Sequence, residues 1–333
     1  MRRAMVAGTG LHAPSRVVTN VELNDRYGMD VDTFLRENRN IHQRHIMAED
    51  EATSDLIVPA AREALERAGV AAEEVDLIVV ATDTPDYISP PTASVVQHKL
   101  GAVRAGTFDL NSACAGFVTA LDLAGKYVAA DDRYGNVLVA GAYGMSKYLD
   151  WDDFKLATLF ADGAGAVVVQ GGGGDGPGLL ASSLYADGSF HDYMGIYAGG
   201  THMPASPEAL ERKDHLLRFA KKFPADTNPT HWPRLIRETL DRIDRTPSEV
   251  DHFFFTQINI ASINETLDQL GVGPERSHNI MDRYAYTGSA CIPMALADAA
   301  RAGKLEAGDL VVLMGSGGGM AMAALALEWA YDT

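Results

Sequence analysis

The chain repeats itself. Val75-Asp-Leu-Ile-Val-Val-Ala-Thr returns 175 residues later as Val250-Asp-His-Phe-Phe-Phe-Thr-Gln, and each run follows a stretch with helical spacing. His98-Lys-Leu-Gly-Ala is matched by Asp268-Gln-Leu-Gly-Val, and Asn111-Ser-Ala-Cys-Ala by Gly288-Ser-Ala-Cys-Ile. Gly135-Asn-Val-Leu-Val-Ala-Gly is matched by Gly308-Asp-Leu-Val-Val-Leu-Met. Matched blocks in one order identify an internal duplication. Within each half, short Val/Ile/Leu/Phe runs alternate with helical patterns, the pattern of buried strands in βαβ units. Such units hide their apolar faces by packing against each other. The duplication therefore predicts an α/β fold of two similar halves in five layers, with helices between the sheets. The glycine run from Gln170 to Gly178 marks the seam, giving halves 1–174 and 175–333. Residues 186–232 are rich in Gly, Pro and His and poor in strand patterns, which predicts a cap-like excursion.

Composition removes several classes of function. A net charge of -17 repels phosphates and argues against nucleic acid as a partner. The apolar runs read as shorter than the roughly 18 residues a membrane span needs. The N-terminal apolar stretch is too brief for a secretory signal. Two cysteines cannot build a disulfide framework, so the expectation is a cytoplasmic protein with reduced thiols. No Cys/His spacing fits zinc, and no metal is expected.

Three places carry candidate chemistry. Gly8-Thr-Gly fits part of a dinucleotide fingerprint, but no helix opens after it to hold a pyrophosphate, and a strand-to-loop turn is the better reading. Asp109-Leu-Asn-Ser-Ala-Cys-Ala-Gly-Phe runs from a strand into a helical pattern, placing Cys114 at a helix N-terminus that favours thiolate. Small neighbours leave room for a substrate, yet cysteine is also a common core residue, and both readings stay open. Cys291 is followed by Ile292 and by Pro293, which suits a first helical turn, so packing is the reading there. Gly315-Ser-Gly-Gly-Gly is either an oxyanion donor or a tight turn. His45 and His98 have no identifiable partner and read as structural or exposed.

Together these residues, with Leu159-Phe-Ala-Asp-Gly-Ala-Gly-Ala-Val-Val-Val, resemble the thiolase superfamily. More closely the chain resembles β-ketoacyl-acyl carrier protein synthase III, from Val6 to Trp329, including Arg44-His-Ile and Pro85-Asp-Tyr-Ile-Ser-Pro-Pro-Thr-Ala. The resemblance implies a thiolase-like fold with Cys114 as nucleophile and Gly318 as an oxyanion donor. The family's histidine, from His-Gln-Ala-Asn, falls on Thr256 of Thr256-Gln-Ile-Asn259. Its asparagine, from Arg-Tyr-Gly-Asn-Thr, falls on Tyr286. The coenzyme A clasp falls near Phe34 and Asn38, with Arg36 and Arg39 close by, and Asn259 joins the substrate-binding set. The basic residue used in carrier-protein docking is Ala261 here.

With the nucleophile kept and its two partners changed, the resemblance implies an acyltransferase of the EC 2.3.1 class with no cofactor. Its substrate is an acyl-coenzyme A or acyl carrier protein thioester, and Cys114 passes the acyl group to an oxygen, nitrogen or unusual carbon acceptor in specialised biosynthesis. Decarboxylative condensation with a malonyl thioester is the alternative, and a non-catalytic partner subunit the second alternative. A homodimer is expected, with the Tyr87–Thr92 loop reaching the partner's pocket.

Overall fold

The computed structural model describes residues 2–173 and 176–333, so the expected seam between 174 and 175 lies outside the described residues. The first half contains strands β1 (Arg3–His12), β2 (Arg16–Thr19), β3 (Gln43–Ile46), β4 (Leu77–Ala81), β5 (Gly106–Leu110), β6 (Asn136–Gly144) and β7 (Asp162–Gly172). Its helices are α1 (Asn20–Tyr27), α2 (Asp32–Arg39), α3 (Thr53–Ala68), α4 (Thr92–Leu100), α5 (Gly116–Ala130) and the short α6 (Phe154–Ala157). Then come β8 (Gly178–Ala186), β9 (Met194–Gly195), β10 (Arg218–Phe219), β11 (His252–Phe255), β12 (Leu310–Gly317) and β13 (Ala321–Glu328). With them stand α7 (Pro207–Glu211), α8 (Thr227–Asp241), α9 (Ile260–Leu270), α10 (Met281–Tyr284) and α11 (Cys291–Arg301).

The two main sheets have the orders β1-β7-β6-β4-β5 and β11-β12-β13-β8. β4 runs parallel to β5 and β6, and β7 antiparallel to β6 and β1. The second sheet repeats this with β11 parallel to β12, and β13 antiparallel to β12 and β8. The counterpart of β5 shrinks to one bridge, Phe253 with Ser277.

Side-chain alternation explains the layers. Leu77, Val79 and Ala81 of β4 face a central cluster that also holds α5, α11, and Val311 and Leu313 of β12. Ile78 and Val80 face the opposite way, into a cluster with α3. Val312 and Met314 join a third cluster with α8 and α9. Strands buried on both faces must be apolar throughout, which is why β4 reads as an unbroken hydrophobic run.

Two expectations need correction. Gly8 and Gly10 lie within β1, not in a turn. A methyl group on either would run into backbone carbonyls of α3, at Ala64 or Ala60, so the glycines allow helix and strand backbones to touch. Gly10→Ala is expected to destabilise the protein by about 1–3 kcal/mol, seen as a lower urea midpoint with an unchanged slope. The apolar runs are also not all short: residues 113–130, largely α5, are long and apolar enough by composition to cross a membrane. This helix is apolar because both sheets close over it.

The 186–232 segment holds the β9–β10 ribbon and α7, but α8 already begins at Thr227. Buried Asp214 ties the segment together by pairing with Arg212 and Arg218, each at 2.8 Å.

Candidate active site

β5 delivers the chain to a sharp turn. The Asn111 side chain accepts the Ala113 N–H at 3.0 Å, and Ala113 sits at a φ of 44°, unusual for a residue with a Cβ. The Gly116 N–H then bonds to Ala113 O at 2.9 Å and starts α5. Cys114 is held at this first turn, 2% exposed.

The helix terminus alone does not make this thiol reactive. Burial pushes its ionisation well above the usual thiol range, and the nearby Asp83 carboxylate pushes it further. A hydrogen bond from the Tyr286 hydroxyl acts the other way. The sequence expectation of a thiolate favoured by the helix is corrected: desolvation outweighs the dipole here, and the resting group is a thiol.

The glycine segment presses on the nucleophile. A carbon built on Gly317 would stand 2.5 Å from the Cys114 amide nitrogen, so glycine is required for that approach. β12 runs on through Gly317, and the turn proper begins at Gly318. The tight-turn reading of this motif thus holds for Gly318 to Met320.

Thr256 follows β11, and its hydroxyl is already committed. It accepts the Ser316 N–H at 2.8 Å and donates to Ser316 O at 3.3 Å. Tyr286 is fixed by its backbone, whose N–H reaches Leu159 O at 3.1 Å and whose carbonyl accepts from Ala161 at 2.9 Å. Its ring packs 5.5 Å from Phe160 and 6.4 Å from Tyr143, with the hydroxyl on the Cys114 sulfur. Asn259 caps α9 and accepts from Arg39 Nη1 at 3.2 Å.

Cys114, Gly318, Thr256, Tyr286 and Asn259 line one cavity of about 330 Å³. Phe34 and Arg36 do not. Phe34 is 51% exposed on α2, and Arg36 pairs with Asp32 at 2.7 Å. Arg39, one turn along, lies over the Phe34 ring and lines the cavity instead. Cys291 is buried at the start of α11, where desolvation raises its thiol to about 12, and it does not line the cavity.

Sequence reasoning missed three contributors. Met194, Phe219 and Phe223 come down from the 186–226 segment as an apolar roof. Asn228, at the start of α8, accepts from the Ser316 hydroxyl at 3.3 Å. Asp83, two residues past the end of the apolar β4, pushes up the Cys114 ionisation, and a carboxylate so close to such a strand was the available signal.

Tyr286→Phe removes the donor to sulfur and is expected to raise the Cys114 ionisation further. Charge-assisted hydrogen bonds contribute about 1.5–3 kcal/mol, so alkylation by iodoacetamide near pH 8 is expected to slow by roughly 10- to 100-fold. A pH series of alkylation rates measures this.

Sequence models of known families match two stretches. Residues 108–188 match 3-oxoacyl-[acyl-carrier-protein (ACP)] synthase III, and residues 240–329 match the C-terminal part of the same synthase. The chain is 37% identical to the β-ketoacyl-[acyl-carrier-protein] synthase III of Symbiobacterium thermophilum, covering 99% of both. It is also 37% identical to acetoacetyl CoA synthase NphT7 of Streptomyces sp. strain CL190, covering 98% of this chain and 99% of that one. Among solved structures, the 3-oxoacyl-(acyl carrier protein) synthase III, FabH, of Pseudomonas aeruginosa superposes with a TM-score of 0.90 at 34% identity over 100% of both chains. The priming β-ketosynthase of the R1128 polyketide pathway gives 0.88 at 29% identity, covering 100% of this chain and 98% of that one. Sharing more than a third of its residues with the Symbiobacterium, Streptomyces and Pseudomonas proteins and following the thiolase-like fold of the solved synthases from end to end, the chain belongs to the 3-oxoacyl-acyl carrier protein synthase III family.

Proposed function

We propose that Cys114 takes an acyl group from an acyl-coenzyme A or acyl carrier protein thioester and passes it to an oxygen or nitrogen nucleophile of a small molecule, in specialised biosynthesis. An unusual carbon nucleophile is the next choice of acceptor. In the first step the sulfur attacks the thioester carbonyl. The Cys114 and Gly318 N–H groups hold the oxyanion of the tetrahedral intermediate, and the donor thiol leaves. The observation that carries this reading is how the two hydroxyls are used. Thr256 is bonded on both sides to the Ser316 backbone, and Tyr286 is on the sulfur. Neither is left to hold an enolate oxygen. Asn228 and Asn259 supply polar groups on the acceptor side of the cavity. A cytoplasmic location and a reaction needing no cofactor belong to the same reading.

Decarboxylative condensation with a malonyl thioester is the second reading, supported by the names of relatives such as acetoacetyl CoA synthase NphT7. Intact-protein mass distinguishes the possibilities. The protein is loaded with acyl-coenzyme A, then chased with amines, alcohols or malonyl-coenzyme A. Loss of the adduct to an amine or alcohol supports the first reading, and loss to malonyl-coenzyme A alone supports the second. No adduct from any donor indicates a non-catalytic partner subunit.

A homodimer is part of the proposal. The loop after β4 exposes Ile88 at 83% and Tyr87 beside it, apolar side chains suited to an isologous interface. Light scattering at micromolar concentration is expected to give twice the 35.7 kDa chain mass, and a monomer would count against it.

A further inference from the structure

A chain of hydrogen bonds runs along one wall of the cavity and ends on an unused donor. The Thr256 hydroxyl holds Ser316 twice, accepting its N–H at 2.8 Å and donating to its carbonyl at 3.3 Å. The Ser316 hydroxyl then donates to Asn228 Oδ1 at 3.3 Å. Ser316 is covalently joined to Gly317, the residue pressed against the Cys114 amide. The Asn228 carboxamide is thus tied, through its oxygen, to the segment that touches the nucleophile. Its nitrogen carries two N–H bonds, has no hydrogen-bond partner among the described residues, and belongs to a side chain that lines the cavity. A carboxamide anchored by its oxygen offers those N–H groups to whatever occupies the cavity.

A second donor shares the space. Arg39 is the one charged side chain among the described residues that line the cavity. Half-buried in the last turn of α2, it donates from Nη1 to two neutral acceptors, Asn38 O at 3.1 Å and Asn259 Oδ1 at 3.2 Å. No carboxylate among the described residues pairs with it, and burial alone acts on its ionisation, lowering it. The nearby side-chain oxygens are already engaged. Asn259 Oδ1 also accepts the Ala261 N–H at 3.2 Å, and Ser262 Oγ accepts from Asn259 Nδ2 at 3.1 Å. The cavity therefore sets free donors and a cation towards its contents. A cation drawn part-way out of water is stabilised by a counter-ion, and here the chain itself supplies none.

We propose that the acceptor substrate carries a carboxylate, which Arg39 attracts into the cavity and the Asn228 N–H groups hold. This rests on the acyl-transfer reading above and names the class of acceptor: a small amino acid or hydroxy acid, not a plain amine or alcohol. A volume of about 330 Å³ suits a small molecule. Donor and acceptor use the cavity in turn, because the donor thiol departs before the acceptor enters. The acceptor's nitrogen or oxygen then bonds to the acyl carbon, and the carbon–sulfur bond breaks. The proton released by the nucleophile goes to the Cys114 sulfur and restores the thiol, so atoms and charge balance without another reagent. The carboxylate takes no part in these bond changes; it fixes where the nucleophile stands. A guanidinium and a carboxamide N–H match both the charge and the paired oxygens of a carboxylate, which a neutral carbonyl does not offer.

The test loads Cys114 from acetyl-, butyryl- or octanoyl-coenzyme A, removes the excess donor, and follows discharge of the adduct by intact mass. The chase uses matched pairs in which a methyl group replaces the carboxylate: β-alanine with propylamine, 3-hydroxybutyrate with 2-butanol, and 4-aminobenzoate with 4-methylaniline. Each rate is divided by that of the same nucleophile on the free acyl-coenzyme A. In at least one pair the carboxylate member is expected to show a kcat/KM about 100-fold above its partner, most of it in KM. Asn228→Ala and Arg39→Gln are each expected to cut that preference about tenfold. Asn228→Asp, the same shape with a charge in place of the donor, is expected to abolish it. A wild-type preference below about threefold in every pair overturns the proposal, whether or not any variant folds. So does an Asn228→Ala protein that keeps the full preference, and so does an adduct that no carboxylate-bearing probe discharges faster than buffer. If no thioester loads Cys114, the acyl-transfer reading itself fails and takes the proposal with it, a result seen before any acceptor is added.

Discussion

Cys114→Ala is expected to form no acyl adduct, whereas Cys291→Ala forms one at nearly the wild-type level. The two cysteines occupy equivalent places in the duplicated halves, each at the start of a central helix, α5 or α11. They differ in surroundings. Cys114 lines the cavity, touches the Tyr286 hydroxyl and lies against Gly317. Cys291, equally buried, does not line the cavity. Loss of a covalent nucleophile that acts as a unit with its donors lowers turnover on the order of 10⁴-fold or more. Intact mass of both variants after incubation with acyl thioesters is the measurement. An adduct that survives in Cys114→Ala and vanishes in Cys291→Ala would place the chemistry in the wrong half.

The second expected result is that enzyme already acylated on Cys114 releases almost no carbon dioxide from malonyl-coenzyme A. Decarboxylation leaves an enolate whose oxygen must be met at once by aligned donors. At the two positions where the sequence motifs lead one to look for them stand Thr256, bound to the Ser316 backbone, and Tyr286, bound to the sulfur. Removing one oxyanion donor slows a reaction about 10²- to 10³-fold, so two altered donors correspond to roughly 10⁴-fold or more. On the proposed mechanism Cys114 acylation draws on backbone N–H groups instead and is expected to be spared. The two half-reactions therefore come apart, with rapid adduct formation and negligible malonyl turnover. Labelled carbon dioxide release at about 1 per second, within the ordinary enzyme range, would refute this. The double replacement Thr256→His, Tyr286→Asn frees the sulfur of its tyrosine and is expected to restore some release.

The architecture was open to reading because duplication and burial both leave linear marks. β4 is apolar at every position because helices cover both its faces, and its repeat at β11 could be found by eye. The placing of Cys114 just before a helix and the turn in Gly315-Ser-Gly-Gly-Gly were equally legible, since a sharp strand-to-helix turn and a tight strand-to-strand turn each demand small residues. The rest of the site was not, because it depends on the direction of single atoms. Whether the Thr256 hydroxyl faces substrate or the Ser316 backbone has no signature in Thr-Gln-Ile-Asn. The cavity roof comes from a segment without periodicity, where Met194 and Phe219 meet only through the β9–β10 pairing. Arg36 and Arg39 both stand in the last turn of α2, yet only Arg39 faces inward.

The covering of α5 also bears on how the chain is made. This helix is apolar over most of its surface, the Asp122–Lys126 pair apart, because β4 and β6 of one sheet and β12 and β13 of the other pack against it. The first pair leaves the ribosome close to it in time; the second, ending at Glu328, comes nearly 200 residues later. At about 5–20 residues per second that interval is roughly 10–40 s. Throughout it, the growing chain carries a greasy, span-length helix with one side bare. Vectorial synthesis thus leaves the helix half covered for that interval, the stage at which exposed apolar surface most favours aggregation.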